Sequence, residues 1–266
     1  MTDFSTYSPL ALALLGTGFT FLCTTFGAAI VFFFKNDIKD NFLKIFLGFA
    51  AGIMIAAAVF SLLIPAIEMT AGEGKIGWLP VVGGFLLGAI FLYLLDIILP
   101  HLHIGSDKPE GLPSKMKRPT MLILAITLHN IPEGLAFGVV SCECGLTSAM
   151  AAVFTLSLGI GLQNIPEGAT ISLMFKSVGF SRKKAFLYGT LSGFVEPIAA
   201  VLGVLLVAQI AGIMPWLLAF AGGAMLYVVV EELIPATQSG EHSHTGTISI
   251  MAGFLVMMIL EMVFSN

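Results

Sequence analysis

The stretch HNIPEG (His129–Gly134) lies inside a long apolar run, and QNIPEG (Gln163–Gly168) lies inside the next one. On a helix, residues three and four apart share a face. His129 and Glu133 therefore point the same way, and Asn130 with Glu133 covers the adjoining stripe. Gln163, Asn164 and Glu167 repeat that geometry one run later. Pro132 and Pro166 cannot donate a backbone hydrogen bond, so they free the carbonyls of Leu128 and Leu162 and bend their helices. Gly134 and Gly168 let a neighbouring helix come close. A polar, kinked motif placed twice in apolar surroundings is costly unless the two copies build something together.

Those surroundings extend over the whole chain. Of 266 residues, 57% are hydrophobic and 11% are charged, against about 25% charged in a soluble domain. Eight runs are each near the ~20 residues a helix needs to cross a bilayer. They are 8–34, 42–69, 78–100, 119–141, 147–175, 184–210, 213–236 and 246–264. The expected fold is an all-α polytopic membrane protein, a single transmembrane domain over 1–266. The short polar segment before the first run carries no charged leader pattern, so that run is expected to remain as a span. Cys23, Cys142 and Cys144 are too few and too scattered for a disulfide framework. The lipid bilayer is the expected surroundings and no nucleic-acid partner is expected.

Of the twelve Lys and Arg, all but Lys75 fall in the first, third and fifth connections. Basic residues concentrate in cytoplasmic loops. The odd-numbered connections are therefore expected inside and both termini outside. FAAGIM (Phe49–Met54) followed by IPA (Ile64–Ala66) recurs as FAGGAM (Phe220–Met225) followed by IPA (Ile234–Ala236), with one residue of gap between the registers. The copies sit in spans two and seven, which run in opposite directions, as do the two NIPEG copies. This predicts a 3+2+3 inverted repeat with the central pair at its heart, an architecture of secondary transporters whose substrate sites lie near the midplane.

The ionisable residues within the spans are acidic, apart from His129: Asp96, Glu133, Glu167, Glu196, Glu231 and Glu232, with Glu68 and Glu261 near span ends. A charge at the bilayer centre costs about 2.5–3.5 kcal/mol on the most lenient scale. Charges of one sign cannot neutralise one another, so each must be protonated, hydrated or paired with a cation from outside the chain. A proton path and a metal path both meet that requirement. The imidazole and amides at fixed offsets favour metal: imidazole plus carboxylate suits Zn2+, and carboxylates and amides also admit Fe2+, Mn2+ and Cd2+. Met54 reads from sequence as a packing residue. An intramembrane metalloprotease would need His-Glu-x-x-His, which the chain lacks. A passive divalent cation channel and a proton-coupled exporter stay open.

With these residues in place, the chain resembles the ZIP (Zrt/Irt-like) family of divalent metal transporters, in its prokaryotic branch. The resemblance spans essentially the whole chain and rests on the HNxPEG motif of span four and the PEG-containing motif of span five. It implies a binuclear metal centre between those spans. One position would use His129, Glu133, Gln163 and Glu167 with Met54 nearby. The other would use Asn130, Glu133, Asn164, Glu167 and, from FVEP in span six, Glu196. Many members carry histidine in place of Gln163 and aspartate in place of Asn164; here both are neutral amides. The resemblance further implies that Glu68 and Glu261 gather cations outside, and that Asp96, His101, His103, Glu231 and Glu232 receive them inside. It also implies Zn2+ entry into the cytoplasm across the plasma membrane, a moving bundle that contains spans four and five, and a homodimer.

Overall fold

The structure is a computed structural model that describes residues 8–33, 40–72, 74–99, 130–142, 146–177, 179–210, 212–238 and 244–264. Those residues are helical with short turns between the helices. Seven helices among them are long and apolar enough to cross a membrane: Pro9–Phe32, Lys44–Thr70, Trp78–Ile98, Thr147–Ser177, Arg182–Gln209, Met214–Gln238 and Thr245–Phe264. They match seven of the eight expected spans to within a few residues. Span four is described over 130–142 and is helical through 130–140. Its earlier residues, His129 among them, lie outside the described residues. The first span begins on a cap: Pro9 occupies its first turn, and the Ser8 hydroxyl accepts from the Ala11 N–H at 3.1 Å.

Backbone contact at glycine organises the spans. Span one meets span five where Gly27 faces the Ile165 carbonyl and Gly168 faces the Thr24 carbonyl. Span four meets span six where Gly134 faces the Glu196 carbonyl and Gly138 the Ala200 carbonyl. Span two meets span eight through Gly52 on Ile250 and Gly253 on Phe49; span three meets span seven through Gly88 on Phe220 and Gly223 on Phe85. At each of these points a Cβ would overlap a carbonyl oxygen of the partner, so only glycine allows the approach. Gly189 against Gly168 and Gly193 against Thr24 tie span six to spans five and one, and Gly222 against Ala58 ties span seven to span two, so spans one, four, five and six make one interlocked bundle and spans two, three, seven and eight another. Between the bundles the contact is through side chains, in a core that holds Met54, Leu62, Phe137, Leu156, Ile160 and Met225. Spans two and seven are central and largely buried, whereas three and eight are mostly exposed and present their apolar faces outward.

Three backbone irregularities were not expected from the hydropathy pattern. Spans two and seven each contain a π-helical segment, Ala58–Leu63 and Val229–Leu233, directly before the IPA tripeptide. Pro65 and Pro235 supply the cause. A proline has no N–H for the carbonyl four residues earlier, and its ring presses on that carbonyl, so the ladder widens there. The one-residue gap between the FAAGIM–IPA and FAGGAM–IPA registers falls in these segments, which hold six and five residues. Span six, expected to be continuous, is instead two helices, Arg182–Ser192 and Val195–Gln209, joined at Gly193 and Phe194. Pro197 cannot bond back to Gly193, and the Glu196 N–H turns to the Gly193 carbonyl at 3.3 Å. By contrast, the helix Leu146–Ser177 runs on through Pro166.

Candidate metal centre

The break in span six builds one wall of the site. It releases the Ser192 carbonyl from the helical ladder, and the Asn130 side-chain amide donates to that carbonyl at 2.7 Å. It also leaves Glu196 in the first turn of the second half-helix, where the backbone dipole favours a negative charge. Asn164 on span five donates its side-chain N–H to Glu196 Oε1 at 2.8 Å. The Gln163 amide donates to Glu133 Oε1. Asparagine, glutamine and glutamate from three spans are thereby cross-linked in a small volume. Asn130, Glu133, Gln163, Asn164 and Glu196 are all buried, and Glu167 is half-buried. The carboxylates of Glu167 and Glu196 lie close enough to act electrostatically on that of Glu133.

These bonds leave four buried oxygens with no hydrogen-bond partner: Asn130 Oδ1, Glu133 Oε2, Gln163 Oε1 and Asn164 Oδ1. Each is in a NIPEG motif or immediately before one. An unsatisfied buried polar atom costs about 1–3 kcal/mol, and such atoms gather where they have a task. Oxygen atoms with no donor to face are what a bound cation satisfies. The set is one carboxylate oxygen and three amide oxygens, with Glu167 alongside. Among the described residues no three His, Cys, Asp or Glu side chains form a metal-holding group by themselves. The amides at 163 and 164 complete the oxygen cluster with Glu133 and Glu196.

The other sequence-predicted residues divide by location. Met54 is fully buried in the core of span two, within the contact between the bundles. Glu261 accepts a hydrogen bond from the Ser61 hydroxyl, which joins span eight to the π segment of span two. Glu68 is exposed near the end of span two. Asp96 lies 3.5 Å from the Tyr227 hydroxyl of span seven. Glu231 is exposed and Glu232 is buried in the second π segment. His101 and His103, like His129, lie outside the described residues. Two contributors were missed, Ser192 and Thr20, and the Thr20 hydroxyl donates to Glu196 Oε2. A trace of Thr20 is present in the sequence: Thr17, Thr20 and Thr24 recur at helical spacing along span one and all three are buried.

Interlocked apolar helices around a knot of buried oxygens define a multi-pass membrane protein. The chain belongs to the ZIP zinc transporter family, whose model matches residues 9–120 and 105–261. It is 39% identical to zinc transporter ZIP11 of Bos taurus, over 96% of this chain and 98% of that protein. It is also 39% identical to zinc transporter GufA of Myxococcus xanthus, over 76% of this chain and 80% of that protein. With zinc transporter ZIPB of Bordetella bronchiseptica the identity is 35%, over 94% and 80%. Members of the family are transporters rather than enzymes, which removes the intramembrane metalloprotease.

Proposed function

We propose that this chain carries Zn2+, and with it Fe2+, Mn2+ and Cd2+, into the cytoplasm across the plasma membrane through a centre between spans four and five. The four partnerless oxygens of Asn130, Glu133, Gln163 and Asn164 carry this reading. Glu133 and Glu167 would bridge two positions, with Glu196 serving the second. Transport would proceed by alternating access. Glycine-interlocked backbones make spans one, four, five and six a unit that can move as a body, and the contact with the other bundle is made by side chains. The matching glycine contacts and paired π segments support an inverted repeat, and the basic odd-numbered loops support both termini outside.

Reconstituted in liposomes, the protein should take up zinc at a rate that saturates with concentration. Uptake should fall as the outer medium is acidified, because carboxylates bind metal only when deprotonated. Flux that rises linearly, with unitary currents, would establish a channel along the same acidic path. Flux that runs outward and follows a proton gradient would establish an exporter.

The amide at 164 makes a separate prediction. Asn164→Asp removes the donor to Glu196 and sets two carboxylates against each other. In low metal the variant should unfold at a lower temperature than the parent, and zinc should restore more than the lost stability. Thermal unfolding with and without zinc measures both. A variant equally stable in the two conditions would show that Asn164 does not border an ion.

A further inference from the structure

We propose that Thr20 is a positioning residue that competes with the transported ion for Glu196; this rests on the metal-centre reading above. None of the four partnerless oxygens is on span one, yet Thr20 of that span is fully buried against Glu196. Its hydroxyl donates to Glu196 Oε2, while Asn164 holds Oε1 at 2.8 Å. Glu196, itself fully buried, therefore has a hydrogen bond on each oxygen without any ion. Each carboxylate oxygen has two lone pairs, and an ion that takes the one facing Thr20 displaces that hydrogen bond while Asn164 keeps Oε1. Hydrogen bonds to a charged group are among the stronger ones in proteins, so this one sets how far Glu196 can lean toward an ion.

The exchange strands nothing. A hydroxyl has one proton and can donate it to one acceptor at a time. The carbonyl of Thr17 lies 3.1 Å from the Thr20 hydroxyl, one turn back on the same helix. When Glu196 turns to the ion, the proton turns to Thr17, and no buried donor is left unpaired. When the ion leaves, Thr20 takes Glu196 back. Glu196 thus grips the ion less firmly than a carboxylate with no alternative partner, which favours release from a buried position.

Full-length protein with Thr20→Val loses the donor and keeps the shape; Thr20→Ser keeps the donor and loses a methyl. The valine variant should bind zinc about tenfold more tightly by calorimetry, and its KM and kcat for uptake into liposomes should fall together as release slows. The serine variant should match the parent in all three. Unchanged zinc affinity and KM in the valine variant would overturn the proposal, as would a serine variant that behaves like valine, since that result would mean packing. Should the valine variant not fold, the parent suffices. The infrared difference between zinc-loaded and zinc-free protein should contain a carboxylate band that is lost in Glu196→Gln. Its absence would overturn the proposal. Glu133→Gln separates the two readings. If that variant still binds zinc normally, the metal centre itself is wrong; if it loses zinc while Thr20→Val is unaltered, only the role of Thr20 is.

Discussion

Glu133→Gln should lower saturable zinc uptake by at least about 100-fold in a protein that still folds. Residues that merely support a metal ligand cost 10–100-fold when removed, on the order of the effects seen across metal sites, and Glu133 is a ligand in the proposed centre. It is fully buried and joins span four to span five through Gln163. Its second oxygen is one of the four without a partner. Glutamine has nearly the same shape, so the bundle keeps its packing while the site loses the negative charge that a divalent ion requires. Liposome uptake, read beside circular dichroism and gel filtration of the same preparation, distinguishes lost chemistry from lost fold. Parental flux in this variant would mean that the ion does not pass between spans four and five.

Gly27→Leu should disrupt the protein itself. A Cβ at position 27 would overlap the Ile165 carbonyl oxygen, and Ile165 lies between Asn164 and Glu167 in the second motif. Backbone cannot yield as a side-chain tip can. The substitution should therefore cost about 3 kcal/mol or more, the upper range for overpacking, and should displace the donors of span five. Gly18→Leu is the control, because nothing lies within 4 Å of a Cβ there. Thermal unfolding in detergent should put the control near the parent and Gly27→Leu far below it. Equal stability of the two would show that spans one and five do not meet at this glycine.

Much of this was legible in the sequence because membrane spans announce themselves by length and apolarity, and because buried polar residues stand out against them. The repeated hexapeptide led directly to Asn130, Glu133, Gln163, Asn164 and Glu167, which the structure brings together with Glu196 on three spans. What hydropathy could not supply was the route of individual backbone hydrogen bonds. Pro65, Pro166, Pro197 and Pro235 are all proline in an apolar helix, yet two widen it, one breaks it and one is accommodated. Which occurs depends on the neighbours available to each freed carbonyl, as Asn130 is to Ser192. Thr20 escaped for a related reason. Threonine is ordinary in a span and commonly bonds its own helix, so only the arrival of Glu196 from span six distinguishes it. Glu261 was readable as an acid near a span end, but its partner Ser61 was not, since that contact joins residues far apart in the chain.

The π segments have a consequence for how these spans tolerate changes in length. In an α-helix, a one-residue insertion or deletion rotates everything beyond it by about 100° and turns the buried face outward. A wide turn can take up or give back a residue locally. Spans two and seven differ by one residue between their matching motifs, and the difference is confined to Ala58–Leu63 against Val229–Leu233. The flanking elements kept their facing through that change: Phe49 and Phe220 both meet a glycine on a neighbouring span, and both IPA tripeptides restart an α-helix. Each segment is thus an expansion joint, a place in a long apolar helix where a residue can be added or removed without rotating the rest of the span.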